Sequence, residues 1–87
     1  MVNTTRDILA AIEEVSQRIV NLYDHKAVAR ECLHLGWYEA AMWIDRNPLH
    51  YSQLLFEGGI ISDRPDYDPG EMYFWDWVDK KEENTNG

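Results

Sequence analysis

Ile8, Ile12, Val15, Ile19 and Leu22 recur at spacings of 4, 3, 4 and 3, with Glu13, Glu14, Gln17, Arg18 and Asn21 on the opposite side. That period predicts an amphipathic helix over about residues 4 to 23. Thr4 with Asp7 three positions on forms its capping-box-like start, and Glu14 can pair with Arg18 one turn later. The phase breaks at Asp24-His25-Lys26 and resumes with Ala27, Val28, Cys32 and Leu35. Asp24 therefore caps a second helix, about 25 to 35, and Gly36 ends it. Trp37 to Arg46 is a third run of helix formers, stopped where Asn47 precedes Pro48. The same pair starts a fourth helix, about 48 to 57, with Asn47 as cap and Pro48 at the first helical position. Gly58-Gly59 closes it as cap and hinge.

Beyond that point the pattern is less regular. Ile60-Ile61 is a brief apolar segment, and Ser62 to Gly70 holds too many turn residues for regular structure. Asp68, Pro69 and Glu71 suit the cap, first and third positions of a last helix over about 69 to 81, ending in Lys80 and Lys81. The competing reading makes the aromatic run Met72 to Val78 a β-strand paired with Ile60-Ile61 in a small hairpin, with the helix favoured. The expected fold is mainly α: a compact bundle of four to five short helices, with that C-terminal β-hairpin as the alternative. Residues 1–81 form one helical domain and 82–87 a flexible polar tail. The stretch Gly36-Trp37-Tyr38-Glu39-Ala40-Ala41 looks locally like the helix–helix turn of a tetratricopeptide repeat. Pro48 ends the second of those helices too early and no second copy follows, so an αα-hairpin is all it predicts.

Eighty-seven residues leave room for one small core, which excludes a multidomain enzyme. Sixteen acids against eight Lys and Arg give a net charge of −8, a field that repels phosphate backbones and anionic headgroups. Direct nucleic-acid and membrane-surface binding are therefore not expected. Cys32 is the single cysteine, so no internal disulfide forms and a reducing, cytoplasmic location is expected. Met1 to Asp7 carries no basic leader pattern. No run reaches the ~18 apolar residues of a membrane-spanning helix.

The chemistry-bearing residues do not assemble into a catalytic or metal motif. An EF-hand frame starting at Asp66 has Asp68 at its third position but Gly70 at the fifth and Trp77 at the twelfth. Cys32, His34, His25 and His50 lack the paired spacing of a zinc site. Cys32 sits within an apolar helical pattern, where a thiol is inert. No cofactor, no metal and no enzymatic activity are expected.

Acidic and aromatic residues concentrate in the last third. Asp63, Asp66, Asp68, Glu71, Asp76 and Asp79 lie among Tyr67, Tyr73, Phe74, Trp75 and Trp77, with Arg64 the only base from 63 to 79. Carboxylates spaced along a compact body can imitate phosphates for a basic groove, and aromatics supply anchors. Asp63, Asp66, Tyr67, Asp68, Glu71, Tyr73, Trp75, Asp76 and Asp79 are therefore the expected contacts to another protein with a basic surface. By helical phase, Trp77 points inward with Phe74 and Val78 while Trp75 shares its side with Asp79 and Glu82. The third helix is apolar most of the way round, so Tyr38, Met42 and Trp43 are candidates for self-association in a homodimer. Small size, acidity and surplus aromatics resemble, in composition, phage-encoded inhibitors such as anti-CRISPR proteins and DNA mimics, and bacteriocin immunity proteins. The expectation is a protein-binding inhibitor of a nucleic-acid-binding surface. The alternative is a self-associating structural or regulatory adaptor subunit.

Overall fold

The first helix begins one residue later than its sequence signal and ends about two turns earlier. In the computed structural model, which describes residues 1–18 and 21–71, Thr5 rather than Thr4 is the cap, its Oγ1 accepting from the Ile8 N–H at 3.2 Å. Helix α1 spans Arg6–Ser16 and buries Ile8, Ala11, Ile12 and Val15. The period in the sequence continues to Leu22, but local polar groups take over the backbone. The Asn21 side chain accepts from the Tyr23 N–H at 3.0 Å, and the Tyr51 hydroxyl donates to the Leu22 carbonyl at 2.6 Å. Side-chain bonds of this kind offer the chain an alternative to a continuing helix. Glu14 does not pair with Arg18 as expected. Its Oε2 accepts from the Trp37 indole N–H at 2.7 Å, and Arg18 lies 3.8 Å from Glu31.

Helix α2, His25–His34, is capped by Asp24, whose Oδ1 accepts from the Ala27 N–H at 3.3 Å. It closes in a Schellman motif: Gly36, at φ 92°, donates to the Leu33 carbonyl at 3.2 Å and Trp37 to the Cys32 carbonyl at 2.8 Å. The chain then reverses into α3, Tyr38–Arg46, giving the predicted αα-hairpin. Helix α4, Pro48–Glu57, follows after Asn47 alone, with proline at its first turn as expected. The mainly α fold class holds.

Two short strands were not foreseen as a pair. β1, Val2–Thr4, and β2, Gly59–Ile61, form a parallel two-stranded sheet with Val2 opposite Gly59 and Thr4 opposite Ile61. Three residues are too few to register as alternation, and a parallel partner 57 positions away leaves no local signature. Gly59 is needed here: a β-carbon would stand 2.7 Å from Leu54 Cδ1 and 2.9 Å from Thr4 Cγ2, where the sheet closes on α4. Ile60-Ile61 therefore pairs with the N-terminal strand; Met72 to Val78 and the tail 82–87 lie outside the described residues, as does all but the first turn of the expected last helix. Residues 69–71 form a turn, with the Glu71 N–H donating to the Asp68 carbonyl at 3.1 Å.

One core joins these elements: Val2 from β1, Ile8 and Val15 from α1, Val28 and Cys32 from α2, Trp43 and Ile44 from α3, and Tyr51 and Leu54 from α4. Among the described residues no helix is long and apolar enough to cross a membrane.

Candidate functional site

The loop 62–71 carries four of the acids expected to face a partner, and most of them are engaged within the chain. Asp66 accepts from the Asn3 backbone N–H at 2.9 Å and from its side-chain amide at 3.2 Å, and the Asp66 N–H donates to the Asn3 carbonyl at 2.9 Å. It thereby satisfies the edge of β1 that β2 leaves open. Asp68 is buried. Its carboxylate accepts from the Leu49 and His50 N–H groups, both at 2.9 Å, and lies 2.6 Å from His50 Nδ1.

Asp68 thus caps α4 from a distant part of the chain. Asn47, the expected cap, makes no such bond. Its amide instead donates to the Trp43 carbonyl at 2.9 Å and its Oδ1 accepts from the Asp68 N–H at 2.7 Å. Burial disfavours the Asp68 carboxylate, but the bonds from His50 and from the two backbone N–H groups outweigh it and hold the pKa below 3.8. An ionised carboxylate only accepts, so His50 Nδ1 carries the proton between them. Glu71 lies 3.7 Å from Arg46, Tyr67 packs against the core, and only Asp63 of the four acids stands exposed. Tyr73, Trp75, Asp76 and Asp79 lie outside the described residues.

Trp43 is a correction. It is fully buried, its indole N–H donating to the Asp66 carbonyl at 2.8 Å, so it has no exposed surface to offer a second copy. The loop 62–71 covers the flank of α3 that the sequence left open, and a tryptophan whose N–H finds a carbonyl is well suited to burial there. Tyr38 and Met42 sit on the other flank and are exposed, at 67% and 39%.

That flank is one wall of a groove of about 590 Å³ between α2 and α3. From α2 come Lys26, Ala29, Arg30 and Leu33, and from α3 come Tyr38, Ala41, Met42, Asp45 and Arg46. Both sets follow the i, i+3, i+4, i+7 spacing of one helix face. Ala29 and Ala41 are small enough to leave a floor, and Leu33, 54% exposed, joins Tyr38 and Met42 as apolar walls. Lys26, Arg30 and Arg46 rim it against one acid, Asp45, which lies 3.2 Å from Lys26. In a chain of net charge −8 this is a locally basic, apolar cleft. The sequence pointed to Tyr38 and Met42, but not to the bases on the facing helix. The signal was available in the shared spacing of Lys26, Arg30 and Leu33 once an antiparallel hairpin was drawn.

Cys32 is fully buried, and burial together with the charges of Glu31 and Glu14 pushes its thiol up to about 11, which leaves it a poor nucleophile. No group of three metal-ligating side chains occurs among the described residues. No protein-family model, curated protein or solved structure matches the chain.

Proposed function

We propose that this protein is a protein-binding module whose docking face is the α2–α3 groove, and that its partner presents an acidic, aromatic segment. The observation that carries the reading is the exposure of Leu33, Tyr38 and Met42 around a floor of two alanines, inside a rim of three bases. Apolar side chains held open on a rigid hairpin supply anchoring pockets. The basic rim selects the sign of the partner's charge and accelerates encounter. Amide shifts of the isotope-labelled full chain test it. A synthetic 12-residue peptide of alternating aromatic and acidic residues is expected to shift α2 and α3 resonances, and its basic analogue is not. Met42→Asp removes the response without lowering thermal stability. Shifts confined to other elements defeat the reading.

A second reading keeps the acidic exterior as the functional surface. Asp7, Glu13, Asp24, Glu39, Asp45, Glu57 and Asp63 are exposed, and together they suit an inhibitor that occupies a basic, nucleic-acid-binding face. Its support is dispersed charge rather than a shaped site, so it ranks behind the groove. Competition with duplex DNA for a purified basic partner, weakening as salt rises past ~0.15 M, is the outcome it requires.

A further inference from the structure

We propose that the outer edge of β2 is a strand-docking site, and that its occupant is an extended segment of another protein, β-branched in the middle and basic at its ends. The site shares no residue with the α2–α3 groove and does not depend on it. It follows from how differently the two edges of the small sheet are finished. The Val2 N–H donates to the Gly58 carbonyl at 3.2 Å and the Ser62 N–H to the Thr4 carbonyl at 2.8 Å. In a parallel ladder with Asn3 opposite Ile60, alternate residues face the neighbouring strand. The Ile60 N–H and carbonyl therefore turn to β1, while those of Gly59 and Ile61 turn away.

On the far side of β1 the equivalent outward groups belong to Asn3, and Asp66 takes both. The β2 edge has no such cover: among the described residues no hydrogen bond reaches the outward N–H and carbonyl groups of Gly59 and Ile61. Nor does β2 carry the lysine or proline that blunts an exposed edge. Ile60 and Ile61, on opposite faces of the strand, are instead 50% and 55% exposed. Donors and acceptors alternating along a line are matched by extended backbone. Water already satisfies such groups, so the exchange of bonds adds little by itself, and the apolar cover given to the two isoleucines adds the rest. β-Branched residues opposite them make the favourable cross-strand pairs.

Charge decides between a second copy and a different chain. Two copies pairing antiparallel use all the outward groups of both strands when Gly59 of each faces Ile61 of the other. That register sets Glu57 against Asp63 at both ends, and like charges directly opposite disfavour the pairing. Lysine or arginine at the same two positions of a different strand makes these carboxylates attractive. Asp63 is exposed and has no ion-pair partner among the described residues, and Glu57 has only the exposed Met1 amine at 3.4 Å. Arg64, the only base from 57 to 71, is itself engaged.

The full-length chain titrated with a synthetic peptide tests this. The probe alternates valine and threonine between two terminal lysines, with blocked ends, and its roughly seven residues run ~20 Å when extended, enough to reach from Glu57 to Asp63. The Gly59 and Ile61 amides are expected to shift and their exchange to slow at least ~10-fold, while the Ile60 amide, already bonded to β1, changes less. An analogue N-methylated at alternate residues is expected not to bind, and one with glutamate in place of both lysines to bind at least ~10-fold more weakly. Glu57→Lys with Asp63→Lys reverses that preference. Ile61→Pro removes an outward N–H without touching the ladder to β1, and is expected to lose the peptide at an unchanged melting temperature. Should proline unfold the sheet, the charge-reversed variant still decides. Slow Gly59 and Ile61 exchange in the free monomer would mean that the chain fills its own edge and overturn the proposal. Concentration-dependent protection with a dimer in light scattering would assign the edge to a second copy and overturn it too. Peptide shifts confined to α2 and α3, or no shifts at all, likewise overturn it, the former leaving the groove as the only docking face.

Discussion

Asp66 and Asp68 of the loop 62–71 turn inward, whereas the apolar side chains of the α2–α3 groove stay in solvent. The loop reads as an exposed acidic surface, yet Asp66 completes the edge of β1, Asp68 caps α4, and the Asp66 carbonyl receives the Trp43 indole. The groove reads as an apolar flank of α3 open to a second copy, yet Trp43 is buried and Leu33, Tyr38 and Met42 stay in solvent. The difference lies in what each region's backbone lacks. A helix N-terminus and a strand edge present donors that must be satisfied, so the nearest carboxylates are drawn inward whatever the local composition. A helix satisfies its own backbone, so the flank of α3 left uncovered by the loop 62–71 can keep its apolar side chains free.

The sharpest way to break this contrast is to truncate the two aromatic residues of α3 that sit on its opposite flanks. Trp43→Ala empties a fully buried site and frees the Asp66 carbonyl, and should cost ~3 to 5 kcal/mol, enough to unfold much of a domain this small. Tyr38→Ala should leave the denaturation midpoint nearly unchanged. Equal losses in urea melts of the two variants would show that the flanks are not distinct.

Asp68 gives the next largest effect. Asp68→Ala leaves the Leu49 and His50 N–H groups and the His50 ring without their acceptor, a loss of ~2 to 3 kcal/mol for bonds to a charged, buried group. Asp63→Ala, in the same loop but exposed, should fall within ~0.5 kcal/mol. Gly59→Ala belongs at a similar level to Asp68. Its β-carbon must displace Leu54 Cδ1 and Thr4 Cγ2 from 2.7 and 2.9 Å, at ~1 to 3 kcal/mol, and the sheet is the part expected to give way in hydrogen exchange.

These residues also mark where the sequence was legible. The start of α2 at Asp24, its stop at Gly36 and the proline start of α4 were all readable, because a local residue carries each signal within a few positions. The β1–β2 pairing and the cap from Asp68 were not, because each joins segments far apart in the chain, and nothing near Asn47 announces that its cap comes from residue 68. Composition points the four acids outward, whereas the loop's geometry engages Asp66, Asp68 and Glu71 within the chain. Within the candidate site, Tyr38 and Met42 were legible from the all-round apolar α3, whereas the basic rim required two helices to be set side by side.

A pH titration sharpens the same comparison through a smaller effect. The Asp68 carboxyl is held below its ordinary value of 3.8 in the fold, so the unfolded chain binds its proton more readily. Its contribution is therefore fully present above that ordinary value and is lost as pH falls through the depressed one. As pH falls below about 4, where ordinary carboxyls take up their proton, the melting temperature of the unmodified chain should fall more steeply than that of Asp68→Asn. Parallel curves would mean that other carboxylates, not this cap, govern the acid limb.

The smallest stability effect is expected in the groove, and it is the one with the largest functional consequence. Leu33 is 54% exposed and Met42 39%, so Leu33→Lys or Met42→Lys removes little buried surface and should shift stability by no more than ~0.5 kcal/mol. The two substitutions differ from those in the loop in what they leave behind. An extra positive charge at Leu33, beside Arg30 on the same helix face, raises the local potential while removing an apolar wall. If the groove recognises its occupant mainly by charge, an acidic, aromatic peptide keeps or gains affinity on Leu33→Lys and loses it on Arg30→Glu. If apolar anchoring dominates, Leu33→Lys weakens it at least ~10-fold and Arg30→Glu acts mainly on the association rate. Anchoring is the expected outcome, because an exposed rim charge is screened by solvent while a side chain seated on the alanine floor is removed from it. Peptide titrations of the two variants at ~50 and ~300 mM salt separate the cases.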